Sequence, residues 1–112
     1  MRKIIIATMI ALSTPAHAEF MTGNLLYNRM VSNERADHLL ALGYVMGVFD
    51  ATNNVAHCGG NLENIMSGQA RDVAKQFLEA NPSTRDLFAD VLLRAAFAKA
   101  WPCAEKKKGA GV

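Results

Sequence analysis

Apolar residues recur at three- and four-residue spacing along most of the chain, and short polar stretches rich in turn residues interrupt the pattern. The spacing predicts four helices: a short one capped by Thr22 and ending near Ser32, a long one from Ala36 to about Asn54, one ending at Ala80, and one ending at Trp101. No alternating strand of useful length occurs. The sequence therefore predicts an all-α fold, a small bundle of about four helices.

The same spacing predicts which side chains face the interior. In the third helix these are Ala70, Val73, Ala74, Phe77 and Leu78. In the last helix they are Leu87, Phe88, Val91, Leu92, Ala95 and Ala98, after a start that resembles a capping box of Ser83 and Asp86. In the long helix they are Leu39, Leu40, Gly43, Met46, Gly47 and Phe49. Because glycine inside a helix costs about 1 kcal/mol relative to alanine, Gly43 and Gly47 predict close approach of another backbone.

The N-terminus has the three parts of a secretory signal peptide. Met1-Arg2-Lys3 is basic, residues 4–12 are apolar, and Ala16-His17-Ala18 supplies small residues for cleavage. A membrane anchor would need about 20 apolar residues, more than this run contains. We therefore expect a signal peptide over 1–18, a helical domain over 19–103 and a flexible basic tail over 104–112, with a mature protein in the periplasm and no membrane anchor.

Charge excludes one class of partner. The whole chain has 12 Lys and Arg residues against 10 Asp and Glu, but Arg2 and Lys3 leave with the leader, so the mature chain is balanced. A nucleic-acid-binding protein would show a clustered basic face. We expect no nucleic-acid partner and interpret Lys106–Lys108 as a solubilising tail.

Two cysteines are present, Cys58 and Cys103. In an oxidising compartment an even pair favours a disulfide, which here would close a loop of about 45 residues and stabilise the fold by about 4 kcal/mol. A zinc site that adds His38 and His57 is the alternative, but the spacing matches no tetrahedral zinc pattern. A reactive thiol activated by His57 is a further alternative. We predict the disulfide and no metal site.

The chain carries no familiar catalytic signature, neither a phosphate-binding loop nor His-Glu-x-x-His nor Gly-x-Ser-x-Gly. We therefore predict no catalytic residue and no cofactor, with a hydrolase that uses His57 as the alternative. Exposed turns on a rigid scaffold commonly carry function. The predicted partner-binding residues are Asn53, Asn54, His57 and Asn61 in one turn, and Ser83, Thr84, Arg85 and Asp86 in another. Tyr44 and Asp50 are weaker candidates, more simply explained as a packed ring and a solvated helix position.

Four segments together resemble a known family. They are Phe20-Met-Thr-Gly-Asn-Leu-Leu26, Gly43-Tyr-Val-Met-Gly-Val-Phe-Asp-Ala51, Cys58, and Ala98-Lys-Ala-Trp-Pro-Cys103. Their order is similar to that of the Rap/Tai immunity proteins of type VI secretion. The chain departs from that family in lacking an earlier cysteine pair and in having Gly59-Gly60 after Cys58.

The resemblance implies a function in protection. Such proteins bind and block a peptidoglycan amidase effector in the periplasm, act as homodimers and need no catalytic residue. The alternative from another class is a periplasmic stress chaperone of the small disulfide-bonded helical type, which would suppress aggregation in acid as carboxylates protonate.

Overall fold

The computed structural model describes residues 20–104, which form four α-helices and no strand. The helices are α1 (Gly23–Val31), α2 (Arg35–Thr52), α3 (Ser67–Ala80) and α4 (Ala89–Ala100), with short 3₁₀ turns at Gly59–Asn61 and Pro82–Thr84. The prediction of an all-α bundle is confirmed. The predicted signal peptide and residues 105–112 of the predicted tail lie outside the described residues.

The start of α1 is fixed both locally and by the segment before α4. The hydroxyl of Thr22 accepts a hydrogen bond from the backbone N–H of Leu25 at 3.2 Å, which confirms the predicted cap. The N–H of Gly23 donates to the carbonyl of Leu87 at 2.9 Å. A Cβ at Gly23 would lie 2.9 Å from the carbonyl oxygen of Arg85, so only glycine fits where these two segments meet.

Each helix packs against the other three around one apolar core. Three residues of the predicted α3 stripe, Ala70, Ala74 and Leu78, are fully buried or nearly so. Small residues at two of these positions let α3 lie close to its neighbours. The largest buried side chains are Phe97, Leu26, Leu78, Leu93, His57 and Val45. Among the residues described, no helix is both long and apolar enough to cross a membrane.

The predicted interior face of α2 is wrong. Its buried residues are Ala41, Val45, Phe49 and Thr52, of which only Phe49 was expected. Leu39 and Leu40 remain 57% and 48% exposed. A Cβ built on Gly43 or Gly47 meets nothing within 4 Å, so no other backbone in residues 20–104 approaches either glycine. The reason is that apolar residues surround α2 on nearly all sides, so the spacing alone does not select a face.

The predicted start and face of α4 are also wrong. Phe88 has an extended backbone and stands before the helix, and Ser83 and Asp86 form no capping box because they belong to the preceding turn. The buried residues of α4 are Ala89, Leu92, Leu93, Ala96 and Phe97, of which only Leu92 was expected. Leu87, Phe88 and Val91 are about half exposed. Backbone hydrogen bonds hold the segment before α4 against the start of α1, because the carbonyls of Arg85 and Leu87 accept from Asn24 and Gly23. The helix therefore begins only at Ala89.

Candidate interaction surfaces

The connection from α2 to α3 contains a turn that its own asparagines hold together. The side-chain oxygen of Asn53 accepts from the N–H of Gly60 at 2.9 Å, and its amide nitrogen donates to Asn61 at 3.3 Å. Asn61 in turn donates to the side-chain oxygen of Asn54 at 2.6 Å. Asn54 has φ 63°, a left-handed conformation that asparagine tolerates better than most residues. The structure therefore brings three of the predicted contact residues together in one rigid turn.

His57 lies beneath this turn and is fully buried. Its Nε2 lies 2.9 Å from the carbonyl of Phe49, and its Nδ1 lies 3.0 Å from the N–H of Gly59. A carbonyl only accepts and an N–H only donates, so the geometry assigns a neutral ring with the proton on Nε2. Its ring centroid lies 4.5 Å from that of Phe49 and 5.3 Å from that of Phe97.

Both ring nitrogens of His57 are thus occupied by backbone groups. A fully buried side chain with no free nitrogen cannot touch a partner or serve as a general base while this fold persists. The burial of His57 therefore contradicts its prediction as a contact residue. Its role is to shape the turn, because it links the end of α2 to Gly59.

The predicted disulfide between Cys58 and Cys103 is confirmed, with Cα atoms 4.8 Å apart. The backbone N–H of Cys58 also donates to the carbonyl of Trp101 at 2.9 Å, so the turn is fixed to the end of α4 twice. The Trp101 ring packs edge-on against Phe49, with centroids 5.6 Å apart. A Cβ at Gly59 would lie 3.0 Å from both of these rings, which explains a glycine where the turn crosses the aromatic cluster.

An apolar groove of about 720 Å³ runs between this turn and the end of α4. Its lining includes Asn54 and Asn61 on one rim, with Leu62, Trp101 and Pro102 supplying apolar surface. Leu62 is 55% exposed, and Val55, at the tip of the turn, is 75% exposed. Val55, Leu62 and Trp101 were not predicted from the sequence as surface candidates. For Val55 and Leu62 the signal was the presence of apolar residues among turn-forming asparagines and glycines.

The second predicted turn, residues 81–86, is fixed elsewhere. It leads into the start of α4, whereas the asparagine turn is fixed to the end of that helix, about 18 Å away for 12 residues. Ser83 and Asp86 are exposed, while Thr84 and Arg85 are half-buried. The guanidinium of Arg85 lies 4.3 Å from the centre of the Tyr27 ring, a cation–π contact. The two turns therefore form separate surfaces.

Tyr44 is half-buried on the side of α2 that faces α4. Burial raises the pKa of its hydroxyl above the ordinary value of 10.0, and the negative charge of Asp90 raises it further, against a lowering by a hydrogen bond to the Asp90 backbone. Asp50 is exposed. This agrees with the simpler interpretation of both residues as a packed ring and a solvated helix position.

The metal alternative finds no support in residues 20–104, which contain no cluster of three or more His, Cys, Asp or Glu side chains able to hold a metal ion. The disulfide occupies both sulfurs of the proposed zinc set. His38 contacts the carbonyl of Ser32 through Nε2, in a different part of the molecule from the buried His57.

A family model described as Rap1a immunity proteins matches residues 22–103. The matched range includes all four helices and both half-cystines. No curated protein sequence matches the chain.

Proposed function

The chain belongs to the Rap1a immunity protein family, and on that premise we propose that it is a periplasmic inhibitor that binds and blocks a peptidoglycan amidase effector of type VI secretion. Membership in the family implies a protein effector as the partner. The observation that supports a binding role most directly is the rigid asparagine turn beside an exposed apolar groove. The chain would act by occupying the enzyme's cleft, and that mechanism needs no catalytic residue.

The physical advantage of this turn is its rigidity. Ordering a flexible loop on binding costs free energy, whereas a turn already held by side-chain hydrogen bonds avoids that cost. Most binding free energy comes from a few anchors that lose their water completely. Val55 and Leu62 are exposed apolar side chains suited to that role, and Asn54 and Asn61 supply a polar rim.

The periplasmic location rests on two independent features. The Cys58–Cys103 disulfide suits an oxidising compartment. The first 18 residues have the pattern of a cleavable secretory leader. An inhibitor of a cell-wall enzyme must reach the compartment in which that enzyme works, and both features agree with this requirement.

The exposed face of α2 supports a homodimer. We consider two copies of α2 that pair antiparallel and cross at Gly43 on a two-fold axis. Leu39 lies four residues before Gly43 and Gly47 lies four residues after it, so Leu39 of one helix would lie over Gly47 of the other. The same register would bring Arg35 near Asp50 of the second copy, since these residues lie eight before and seven after Gly43. Both charged residues are exposed, as is Leu39. This face is therefore complementary to itself in shape and in charge.

The function is tested with purified components. The mature chain, residues 19–112, is mixed in turn with purified peptidoglycan amidase effectors of type VI secretion, and release of peptides from isolated peptidoglycan is followed by chromatography. We expect hydrolysis to stop at one chain per enzyme. Full hydrolysis at a tenfold excess of the chain would refute the proposed function.

The contact surface is tested with Val55→Asp, which places a charge at the exposed tip of the turn. Val91→Asp is the matched control, because Val91 is also exposed, at 51%, but lies near the start of α4, whereas the asparagine turn is fixed to the end of that helix. We expect Val55→Asp to weaken inhibition at least tenfold and Val91→Asp to leave it within twofold. Alanine at Ser83 and Asp86 tests the second turn, and equal inhibition by all variants would exclude both turns as contact elements.

The dimer is tested by sedimentation equilibrium. A lysine at Gly47 projects into open space in one subunit but would fill the position proposed for Leu39 of its copy. We expect Gly47→Lys to be monomeric, whereas Gly47→Ala stays dimeric. A wild-type chain that is monomeric at 100 times the concentration used in the inhibition assay would contradict the proposal.

A further inference from the structure

A small pocket on the far side of the molecule carries more positive than negative charge. It has a volume of about 200 Å³ and lies between the end of α1, the first half of α2 and the first half of α3. Its lining residues are Met30, His38, Ala41, Arg71, Asp72 and Lys75. Drug-sized ligands occupy pockets of roughly 300–1,000 Å³, so this one fits a single side chain rather than a larger molecule.

The two bases of the pocket lie on the same helix. Arg71 and Lys75 are four residues apart on α3, and like charges at that spacing destabilise a helix. Arg71 is paired with its neighbour Asp72, whose oxygen lies 3.1 Å from Nη2, and both side chains are substantially exposed. Lys75 is half-buried, and among residues 20–104 it makes no hydrogen bond and no ion pair.

The nearest acidic residue of α2 does not compensate this charge. Asp37 is held by Arg29 at 3.0 Å and by the hydroxyl of Ser32 at 2.7 Å, which occupies both of its oxygens. Within the pocket, two bases therefore face the single acid Asp72. Met30 and Ala41 form the base of the pocket, where Met30 is 7% exposed and Ala41 is fully buried.

We propose that this pocket receives an acidic side chain, glutamate or aspartate, of the protein effector. The carboxylate would lie between Lys75 and the guanidinium of Arg71, with its methylene stem directed toward Met30 at the base of the pocket. Guanidinium and ammonium groups form their strongest hydrogen bonds with carboxylates. The proposal rests on the proposed function, because the effector is the partner that supplies the acid.

The test measures the dissociation constant of the complex of mature chain and effector by calorimetry at two salt concentrations. Lys75→Met removes the charge and keeps the length of the side chain, so we expect about tenfold weaker binding and a smaller loss of affinity on addition of salt. Lys75→Arg keeps the charge and should bind within threefold of wild type. Lys99→Met makes the same change at an exposed position of α4 outside the pocket and should bind like wild type.

The outcomes separate the two proposals. If the wild-type chain does not bind the effector, the proposed function and this pocket's role both fail. If it binds and Lys75→Met is no weaker than Lys99→Met, the pocket's role alone is overturned. Thermal unfolding of each variant shows whether it is folded. Weak binding by both Lys75→Met and Lys75→Arg would also overturn the carboxylate proposal, because loss of charge would then not explain the weaker binding.

Discussion

Removal of the disulfide should lower the free energy of unfolding substantially and leave the packing of the folded state almost unchanged. Cys103 is exposed and Cys58 is half-buried, so alanine at both positions removes little buried surface. The neighbouring contacts do not need the bridge: Cys58 still donates to Trp101, and His57 still links Phe49 to Gly59. The folded state should therefore keep its turn, and the stability change should come from the unfolded chain.

The magnitude follows from the sequence separation of 45 residues. Loop closure of that length lowers the entropy of the unfolded chain by about 13 cal/mol/K, which is ~4 kcal/mol at 25 °C. Small domains are stable by roughly 5–15 kcal/mol, so the variant would retain about 1–11 kcal/mol of stability. Each single cysteine variant breaks the same cross-link and should lose the same amount as the double variant.

Urea unfolding of the mature chain, followed by circular dichroism, provides the assay. For a slope of roughly 1.5–2 kcal/mol per molar urea, the midpoint should fall by about 2–3 M in the Cys58→Ala/Cys103→Ala variant. The wild-type protein under reducing conditions is the matched control and should unfold where the double variant does. A loss below ~1 kcal/mol would refute the argument, because the cross-link would then not restrict the unfolded chain as the loop length requires.

Two further predictions concern glycines and a tyrosine. Gly47→Ala should raise the free energy of unfolding by up to ~1 kcal/mol, because the added Cβ lies inside a helix and meets nothing within 4 Å. Gly60→Ala should lower it, since its Cβ would lie 2.6 Å from the Asn53 side chain. Thermal unfolding of samples diluted until they are monomeric measures both changes, and opposite signs would contradict this assignment of open and crowded sites. The raised pKa of Tyr44 means that the folded state holds this proton more tightly than the unfolded state, so stability should fall as the pH rises above about 10. In an ultraviolet titration Asp90→Asn should lower the pKa of Tyr44 without restoring it to 10.0, because burial is the larger cause and Asp90 the smaller; an unchanged titration would show that the charge of Asp90 does not act on the ring.

The sequence predicts the buried face of a helix well only where the apolar residues lie on one side of that helix. In α3 the apolar residues lie on one face and charged residues on the other, so spacing identified Ala70, Ala74 and Leu78. In α2 apolar residues lie on nearly every side, and the choice of Val45 rather than Leu40 for the core depended on where the other three helices lie. Spacing could not supply that information.

The asparagine turn shows the same division. Turn-forming residues located the connection between α2 and α3, and two cysteines in a chain whose N-terminus has the pattern of a secretory leader predicted its attachment to the end of α4. The burial of His57 was beyond prediction, because it depends on the positions of Phe49 and Phe97, which come from different helices. The exposure of Val55 likewise depends on the path that Asn53, Asn54 and Asn61 impose on the backbone.

The sequence by itself determined the helices, the cap at Thr22 and the pairing of Cys58 with Cys103, because each depends on local spacing or on a single covalent choice. The tertiary structure decided which face of α2 is open, where α4 begins and which residues of the turn reach the surface. These features depend on contacts between segments far apart in the chain. The carbonyl of Leu87, for example, accepts from the N–H of Gly23, 64 residues earlier, and no local pattern records that bond.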